Sequence, residues 1–266
     1  MNTRPTGKVS YDNQGRVVVV TGGSSGIGHS ICQQFSNSGA TVYCFDVQRP
    51  VLDPEGDRDN AIRFISTDVG EEDQCRDSVE KVFREEGGID VLVNNAVIQP
   101  VDSYVPVDQL DGDLWTKMLK VNVSGYTFMA KHVIPKMKFQ GSGVVVNMAS
   151  AQAHRSAREV PAYGPAKAAN LLQAKQWAIE YARYGIRVVS ISPGAIDTPL
   201  VRASLNLQGG EAELANRHPL GRLGTPLEIA SAVLWISSVS ASFVTAEDLA
   251  VDGGLGGYAA FAEPYE

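Results

Sequence analysis

Several features that mark particular classes of protein are scarce or missing in this chain of 266 residues. Its three cysteines, Cys32, Cys44 and Cys75, have no metal-site spacing and cannot all pair with one another. Unpaired thiols of this kind are typical of reduced cytoplasmic proteins. No apolar run approaches the roughly 18 residues that a membrane-spanning helix needs, and the polar N-terminus lacks the apolar segment of a secretion signal. We therefore expect a cytoplasmic protein with no membrane partner and no metal site.

A surplus of basic residues is also missing. Lys and Arg number 23 against 30 Asp and Glu, which gives a formal net charge of -7. A general nucleic-acid-binding protein needs positive charge to neutralise phosphates, so we expect no nucleic-acid partner. The apolar fraction of 44% is ordinary for a globular protein, and the length suits one α/β domain or two smaller ones.

Short β-rich runs alternate along the chain with longer helical patterns. Several of the β-rich runs are continuously apolar, which is typical of strands buried on both faces. The alternation predicts βαβ units, and hence a single α/β domain: a doubly wound, Rossmann-like parallel sheet of about seven strands with helices on both faces. The predicted strands are Val17–Thr21, Thr41–Phe45, Ile62–Ser66, Val91–Asn94, Val144–Asn147, Arg187–Ser192 and Leu249–Val251, and the predicted helices include Glu71–Glu86, Asp113–Phe139 and Ala166–Tyr184.

Two irregular regions interrupt this pattern. Val47–Asn60, rich in Asp, Pro and Arg, predicts a surface loop. Pro199–Gly224 follows a strand and contains a short helical stretch, Glu211–Asn216. Long connections beyond the carboxyl end of a strand often carry a lid, so we expect one at about residues 199–224. The next helix is predicted to start at a capping box formed by Thr225 and Glu228.

Glycines crowd the junction between the first predicted strand and the helix that follows it. Gly22, Gly26 and Gly28 permit a tight turn, and their missing side chains let a pyrophosphate approach the N-terminus of the helix. Asp46, at the end of the second predicted strand, is placed to accept hydrogen bonds from an adenosine ribose. The glycines alone also fit a plain strand–helix turn, with Asp46 serving only as a turn residue.

These residues resemble the motifs of the short-chain dehydrogenase/reductase (SDR) family, and the resemblance spans roughly residues 15–256. The similar segments are Thr21-Gly22-x-x-x-Gly26-Ile27-Gly28, Asp68-Val69, Asn94-Asn95-Ala96, Pro193-Gly194, Thr198 and Asp252-Gly253-Gly254. Val97 stands where the family usually has glycine, and its larger side chain is expected to press on the cofactor side of the pocket. The resemblance implies that NAD binds at Gly22, Ser24, Ser25, Gly26, Ile27, Gly28, Asp46, Asp68, Val69, Asn95, Ala96, Tyr163, Lys167, Pro193, Gly194, Ile196 and Thr198.

Asn122, Ser150, Tyr163 and Lys167 fall where the family has its catalytic residues. Tyr163 and Lys167 are four positions apart and share one helix face. A lysine ammonium and an oxidised nicotinamide would lower the tyrosine pKa from its usual value of about 10, making Tyr163 a general base. Ser150 would orient the substrate oxygen, and the resemblance implies that Asn122 holds a water that relays protons from Lys167. Taken singly, Tyr163 and Lys167 also fit a pair on an exposed helix face. Ser150 alone fits a strand-end cap, and Asn122 alone fits a buried core amide.

The charge of Asp46 indicates which cofactor binds. Its carboxylate would repel the 2′-phosphate of NADP, so NAD is expected. The predicted function is hydride transfer between NAD and a secondary alcohol or ketone, in the direction that oxidises a sugar, polyol or cyclic alcohol. Two alternatives remain open: an NAD(P)H-dependent carbonyl reductase of a biosynthetic pathway, and a non-catalytic dinucleotide-sensing protein.

The substrate, expected to be a small molecule, is the least constrained part of this interpretation. The segment Ala151–Val160 lies between Ser150 and Tyr163 and is unusually polar for a pocket wall. Each of its polar residues also fits a solvated loop. The candidate substrate-binding residues are Gln152, His154, Arg155, Arg158 and, on the lid, Arg202; Arg217 and His218 would bring further positive charge. Apolar stripes on the predicted helices, together with the family resemblance, predict a homotetramer.

Overall fold

The computed structural model describes residues 7, 9–50 and 62–258. These residues form one sheet of seven strands in the order β3-β2-β1-β4-β5-β6-β7, and every neighbouring pair is parallel. The predicted parallel sheet of about seven strands is confirmed. The strands are β1 (Val17–Thr21), β2 (Thr41–Asp46), β3 (Ile62–Ser66), β4 (Val91–Asn94), β5 (Gly143–Met148), β6 (Ile186–Pro193) and β7 (Asp248–Val251).

Helices cover both faces of this sheet. Their bounds are α1 (Gly26–Asn37), α2 (Glu72–Glu86), α3 (Gly112–Leu119), α4 (Gly125–Gln140), α5 (Tyr163–Tyr181), α6 (Pro199–Ser204), α7 (Glu211–Asn216) and α8 (Pro226–Ser237). Within the described ranges, no helix has the length and apolar character that a membrane span requires.

Two apolar cores lie on opposite sides of the sheet. Successive strand residues point to opposite faces, so Val18 and Val20 of β1 pack with α1 and α8, through residues such as Phe35 and Val233. Val19 packs on the other side with α2, α4 and α5. The valine-rich strands are therefore buried on both faces, as in other doubly wound single domains.

The strand order reverses direction between β1 and β4. In open parallel sheets of this kind, ligands bind in the crevice beyond the carboxyl ends of the strands at the reversal. The Gly22 turn follows β1 directly, and the segment that begins at Asn95 follows β4. The topology thus brings the two motifs together at one edge of the sheet.

The predicted helix Asp113–Phe139 is not continuous. A π-helical turn, Lys120–Ser124, separates α3 from α4. Within it, the Asn122 side chain exchanges hydrogen bonds of 2.8 Å with both backbone groups of Ile98. This tertiary contact accompanies the wider turn, and π-turns of this type occur frequently at functional sites. Hydrophobic periodicity carries no signal for it.

Other boundaries differ less. Helix α5 starts at Tyr163 rather than Ala166, with Pro165 in its first turn, where a backbone donor is not needed. The predicted short helix Glu211–Asn216 and the capping box at Thr225 are both present. Of the predicted loop Val47–Asn60, only residues 47–50 lie within the described part of the chain.

Candidate active site

A cavity of about 540 Å³ lies beyond the carboxyl ends of β1–β4. Asp46 and Asp68 contribute its carboxylates, and Val97 also reaches its wall. Ten of the predicted cofactor residues line it: Gly22, Ser25, Gly26, Ile27, Asp46, Asp68, Val69, Asn95, Ala96 and Thr198.

The glycine turn at this cavity is packed too tightly for side chains. A Cβ atom on Gly28 would lie 2.1 Å from the carbonyl oxygen of Gly22, and Gly22 itself has a φ of 64°. The Asn95 amide holds the turn by donating hydrogen bonds of 3.0 Å to the carbonyls of Thr21 and Gly22. Because α1 begins at Gly26, its free backbone N–H groups face the same cavity, which fits the pyrophosphate of a dinucleotide.

Asp46 lies on the wall of this cavity beside the glycine turn. Its carboxylate accepts hydrogen bonds from the backbone N–H of Ser24 at 3.0 Å and of Gln48 at 3.2 Å. The guanidinium of Arg49 stacks 5.0 Å from the centre of the Phe64 ring, and Lys117 is the one basic side chain among the described residues lining the cavity. This end of the cavity therefore presents a fixed negative group.

Ser150 and Tyr163 come together at the wall of a second cavity, of about 350 Å³. Ser150 follows β5 closely, and its hydroxyl accepts a hydrogen bond of 3.1 Å from the backbone N–H of Gln152. The Tyr163 phenol, in the first turn of α5, lies near Ser150, which acts to lower the pKa of the phenol. Leu200 lines both cavities, so the two adjoin.

Lys167 lies beneath Tyr163, one helical turn further along α5. Its ammonium group donates hydrogen bonds to the carbonyl of Met148 at 2.7 Å and to the hydroxyl of Tyr126 at 3.1 Å. The Tyr126 hydroxyl in turn donates to Met148 at 3.2 Å. Lys167 is only 2% exposed, and this burial lowers its pKa to about 7.

The pKa of Tyr163 differs from the sequence-based expectation. Burial raises it to about 12, and nearby Tyr104 adds to the rise, whereas Ser150 acts in the opposite direction. The Lys167 nitrogen lies 5.7 Å from the Tyr163 ring centre, and burial lowers the pKa of Lys167 itself to about 7. The lowering of the Tyr163 pKa that was expected from Lys167 is therefore not found, and the contribution expected from an oxidised nicotinamide stays a prediction.

The sequence of this chain is similar to those of known proteins. The sequence profile of a family described as enoyl-(acyl carrier protein) reductase matches residues 22–256. A cis-4-hydroxycyclohexanecarboxylate dehydrogenase of Sinomonas cyclohexanicum is 36% identical over 242 residues, covering 90% of this chain and 96% of that protein. This chain belongs to the short-chain dehydrogenase/reductase family. It is accordingly an oxidoreductase that binds a nicotinamide dinucleotide and acts on secondary alcohols or ketones.

Solved SDR structures superpose along nearly the whole chain. The ligand-free aldohexose dehydrogenase of Thermoplasma acidophilum gives a TM-score of 0.86 at 34% identity, covering 96% of this chain and 98% of that one. A gluconate 5-dehydrogenase from Burkholderia cenocepacia, in complex with NADP and tartrate, gives 0.85 at 29% identity, covering 93% and 98%.

Some predicted SDR site residues lie outside the two cavities. Asn122 bonds to the Ile98 backbone, and Ser24, Gly28 and Lys167 lie behind the cavity walls. Pro193 and Gly194 line the second cavity with Tyr163, while Ile196 lines a smaller neighbouring cavity of about 270 Å³. Some candidate residues thus line the two adjoining cavities, whereas others do not reach the cavity surface.

The five candidate substrate residues divide in the same way. Gln152 and Arg155 line the second cavity. His154 instead contacts the Asp248 carboxylate at 2.7 Å, Arg202 pairs with Asp197, and Arg158 is exposed to solvent. Within the described part of the chain, these last three side chains line neither cavity.

The segment 199–224, predicted to be a lid, forms part of the wall of the second cavity through Leu200, Leu214, Arg217 and His218. His218 is 2% exposed, and its Nε2 accepts a hydrogen bond of 3.0 Å from the backbone N–H of Ala195. Its Nδ1 therefore carries the proton and donates to the Leu214 carbonyl. The expectation that His218 brings positive charge is wrong, because both nitrogens bond as in a neutral ring.

Three functional candidates were missed by sequence reasoning. Gln99 and Tyr104 follow the Asn-Asn-Ala motif and line the substrate cavity, and Tyr126 supports Lys167 from α4. Only the polarity of Gln99 and Tyr104 in an otherwise irregular stretch could have drawn attention to them. The described residues contain no cluster of three or more His, Cys, Asp or Glu side chains suited to a metal.

Proposed function

We propose that this SDR is an NAD-dependent dehydrogenase that oxidises a cyclic alcohol, polyol or sugar at a secondary hydroxyl. The observation that carries the proposal is the Ser150–Tyr163 pair on the wall of a cavity that adjoins the strand-end cavity at Leu200. A substrate oxygen at this pair has access to a cofactor in the neighbouring cavity.

Each site residue has a role in this reaction. Ser150 orients the substrate hydroxyl, and Tyr163 accepts its proton. The Lys167 ammonium, fixed by Met148 and Tyr126, supports the phenolate, and Asn122 is proposed to hold a relay water. The oxidised nicotinamide, when bound, supplies the hydride acceptor and a positive charge that favours the phenolate.

The preference for NAD rests on Asp46. A carboxylate hydrogen-bonded at the wall of the cofactor cavity accepts ribose hydroxyls but repels a 2′-phosphate. Arg49, which could have compensated this charge, stacks on Phe64. Because cells keep most of their NAD in the oxidised form, we propose that the enzyme works in the direction of alcohol oxidation.

One finding favours a second candidate, an NADPH-dependent carbonyl reductase. The solved gluconate 5-dehydrogenase that resembles this chain holds NADP. Initial rates with both cofactors, in both directions, separate the two functions.

The substrate class is supported by the relatives. The Sinomonas protein is named for a cyclic hydroxy acid, and the two structural neighbours are named for an aldohexose and for gluconate. All three are compounds with ring or chain secondary hydroxyls, and the polar residues of the second cavity suit such compounds.

We propose in addition a cytoplasmic homotetramer and a mobile lid at 199–224. All three cysteines are free and buried, which suits a reducing compartment. Exposed apolar side chains that suit subunit contacts include Leu172 and Ile179 on α5 and Phe243 before β7. Sedimentation of the purified protein tests the assembly.

Exchange of Tyr163 for phenylalanine tests the proposed catalytic role. Tyr163→Phe removes the proton acceptor without a change of ring volume, so activity on a panel of cyclic alcohols, polyols and sugars should fall by roughly 10²–10⁴-fold. NADH formation measures the rate, and fluorescence titration with NADH checks that the variant still binds cofactor.

Tyr184→Phe is the matched control, because Tyr184 lies in the short 3-10 turn that follows α5 and is 46% exposed. It should leave the rate unchanged. A Tyr163→Phe enzyme that turns over within a factor of two of the parent would contradict the assigned role.

A further inference from the structure

The substrate cavity contains an imbalance of charge that the catalytic residues do not explain. Two arginines, Arg155 and Arg217, reach its wall, and none of the described residues lining it is Asp or Glu. The chain as a whole carries a formal net charge of -7, so a basic cavity is a local arrangement rather than a reflection of composition. Its volume of about 350 Å³ lies at the small end of the range for small-molecule sites.

The charge of Arg155 is held in place without being neutralised by a described acidic residue. Its guanidinium donates to the Tyr258 carbonyl at 2.6 Å and to the Gly256 carbonyl. Both acceptors are neutral, and a guanidinium has five N–H donors, so further donors are available. The carbonyls fix the planar fork in one orientation, which favours bidentate binding of a carboxylate.

Arg217 is also available to a ligand. It donates to the Gln208 carbonyl and pairs with Glu213, each at 2.8 Å. The Glu213 side chain is 62% exposed, and ion pairs in that environment contribute little free energy. A carboxylate inside the cavity can therefore take the place of Glu213 at small cost.

Two amides near these arginines have unused polar atoms. The Nε2 of Gln99 and the Oε1 of Gln152 are buried and have no hydrogen-bond partner among the described residues. Both side chains line the cavity. One is a donor and the other an acceptor, which together match a hydroxyl group, and a buried polar group without a partner is unfavourable.

On these grounds, and resting on the function proposed above, we propose that the substrate is a hydroxylated carboxylate. Its carboxylate binds Arg155 and Arg217, its reacting hydroxyl faces Ser150 and Tyr163, and further polar groups meet Gln99 and Gln152. The site thus selects for negative charge on a small ring or short chain.

Matched substrates test this selection directly. We would measure kcat/KM for 4-hydroxycyclohexanecarboxylate and for its primary amide, which has the same size but no charge. The parent enzyme should prefer the acid by about 10- to 100-fold, the range expected for charged hydrogen bonds. Arg155→Gln and Arg217→Gln should each lower kcat/KM for the acid much more than kcat/KM for the amide, and so remove most of that preference.

Two further variants separate charge from structure. Arg155→Lys keeps the charge and should retain part of the preference, whereas a purely structural role would make it equivalent to Arg155→Gln. Arg76→Gln removes an arginine charge from the exposed face of α2, where Arg76 pairs with Asp73, and should leave both substrates unaffected.

Calorimetric titration with cyclohexanecarboxylate gives a readout that needs no turnover. The proposed anion site is supported if the affinity of the NAD-saturated enzyme for cyclohexanecarboxylate falls at least tenfold in both Arg155→Gln and Arg217→Gln. Absence of binding, or binding unchanged in both variants, overturns it. If cyclohexanecarboxylate binds through the arginines but no alcohol reduces NAD, the proposed function fails and the anion site stands. Equal kcat/KM for acid and amide overturns the anion site and leaves the dehydrogenase function standing.

Discussion

The two cavities of this SDR are built from different kinds of structure. The cofactor cavity lies at the carboxyl ends of β1–β4 and presents the carboxylates of Asp46 and Asp68. The proposed substrate cavity is lined in part by the segments 150–157 and 199–224, and it presents Arg155 and Arg217. The first presents carboxylates at strand ends of the sheet, whereas the second presents arginines carried by segments outside the sheet.

This difference bears on how each cavity can be recognised. Parallel strands bring their carboxyl ends to one edge, so residues that directly follow strands must share a crevice. The positions of loop residues are not fixed by the sheet in this way, and the direction of their side chains depends on contacts with distant segments of the chain. His154 illustrates this, since it lies in the polar loop after Ser150 but bonds to Asp248 on β7.

The largest effect that would test this contrast is expected at the glycine turn. Gly28→Ala places a Cβ atom 2.1 Å from the Gly22 carbonyl, so the turn must shift. Stability should fall by about 1–3 kcal/mol or more, and the affinity for NADH should fall by roughly 100-fold, since the turn carries the phosphate-binding N–H groups. Denaturant unfolding and fluorescence titration measure the two effects.

Gly112→Ala is the matched control, because a Cβ atom there meets no other atom within 4 Å. Normal NADH affinity in Gly28→Ala would show that the cofactor cavity does not depend on this close packing.

The next effect concerns Lys167, beneath the junction of the two cavities. Its folded-state pKa of about 7 lies below the value of about 10.4 for an unfolded chain. The unfolded chain therefore binds more protons between these values, and stability contributed by this group rises with pH across that window. Between pH 7 and pH 9, the cofactor-free parent should gain about 2 kcal/mol relative to Lys167→Met.

Urea unfolding of both proteins at the two pH values measures this difference. A stability difference that does not change with pH would mean that Lys167 keeps an ordinary pKa in the folded protein.

A smaller change, in the selectivity for NAD over NADP, is expected for substitution of Asp46 in the strand-end cavity. Asp46→Asn removes the charge while keeping the shape, so the ratio of kcat/KM for NAD over NADP should fall by about tenfold. Asp68→Asn is a useful comparison, because Asp68 lines the same cavity but is not the residue proposed to bind the ribose. Preference of the parent enzyme for NADP would contradict the assignment of Asp46.

The smallest effect is expected in the lid. Hydrogen exchange of residues 201–218 should slow several-fold when NAD and substrate are added together, because closure protects its backbone. The neutral His218 ties one end of the segment to Ala195, so the change should be largest around Gly209 and Gly210, where φ is positive. Equal exchange in both states would show that the segment is a rigid wall.

Sequence patterns predicted the sheet well, and they predicted which residues line the strand-end cavity. All seven strands were located to within one or two residues at each end, since apolar β-rich runs report burial on both faces. The glycines, Asp46 and the Ser150–Tyr163–Lys167 set lie where strand ends and helix starts bring them. Their placement follows from topology, and the sequence encodes topology through the alternation of strands and helices.

By itself, the sequence determined the doubly wound sheet, the tight glycine turn after β1 and the order of the candidate catalytic residues, because these depend on local periodicity and on positions next to regular elements. Only the tertiary structure decided that Arg155 faces the substrate cavity while Arg158 and Arg202 do not. It also decided that Tyr126 holds Lys167 and that His218 is neutral. The physical reason is that a side chain's partners and its burial are set by segments distant in the chain, and these partners fix its direction and its charge.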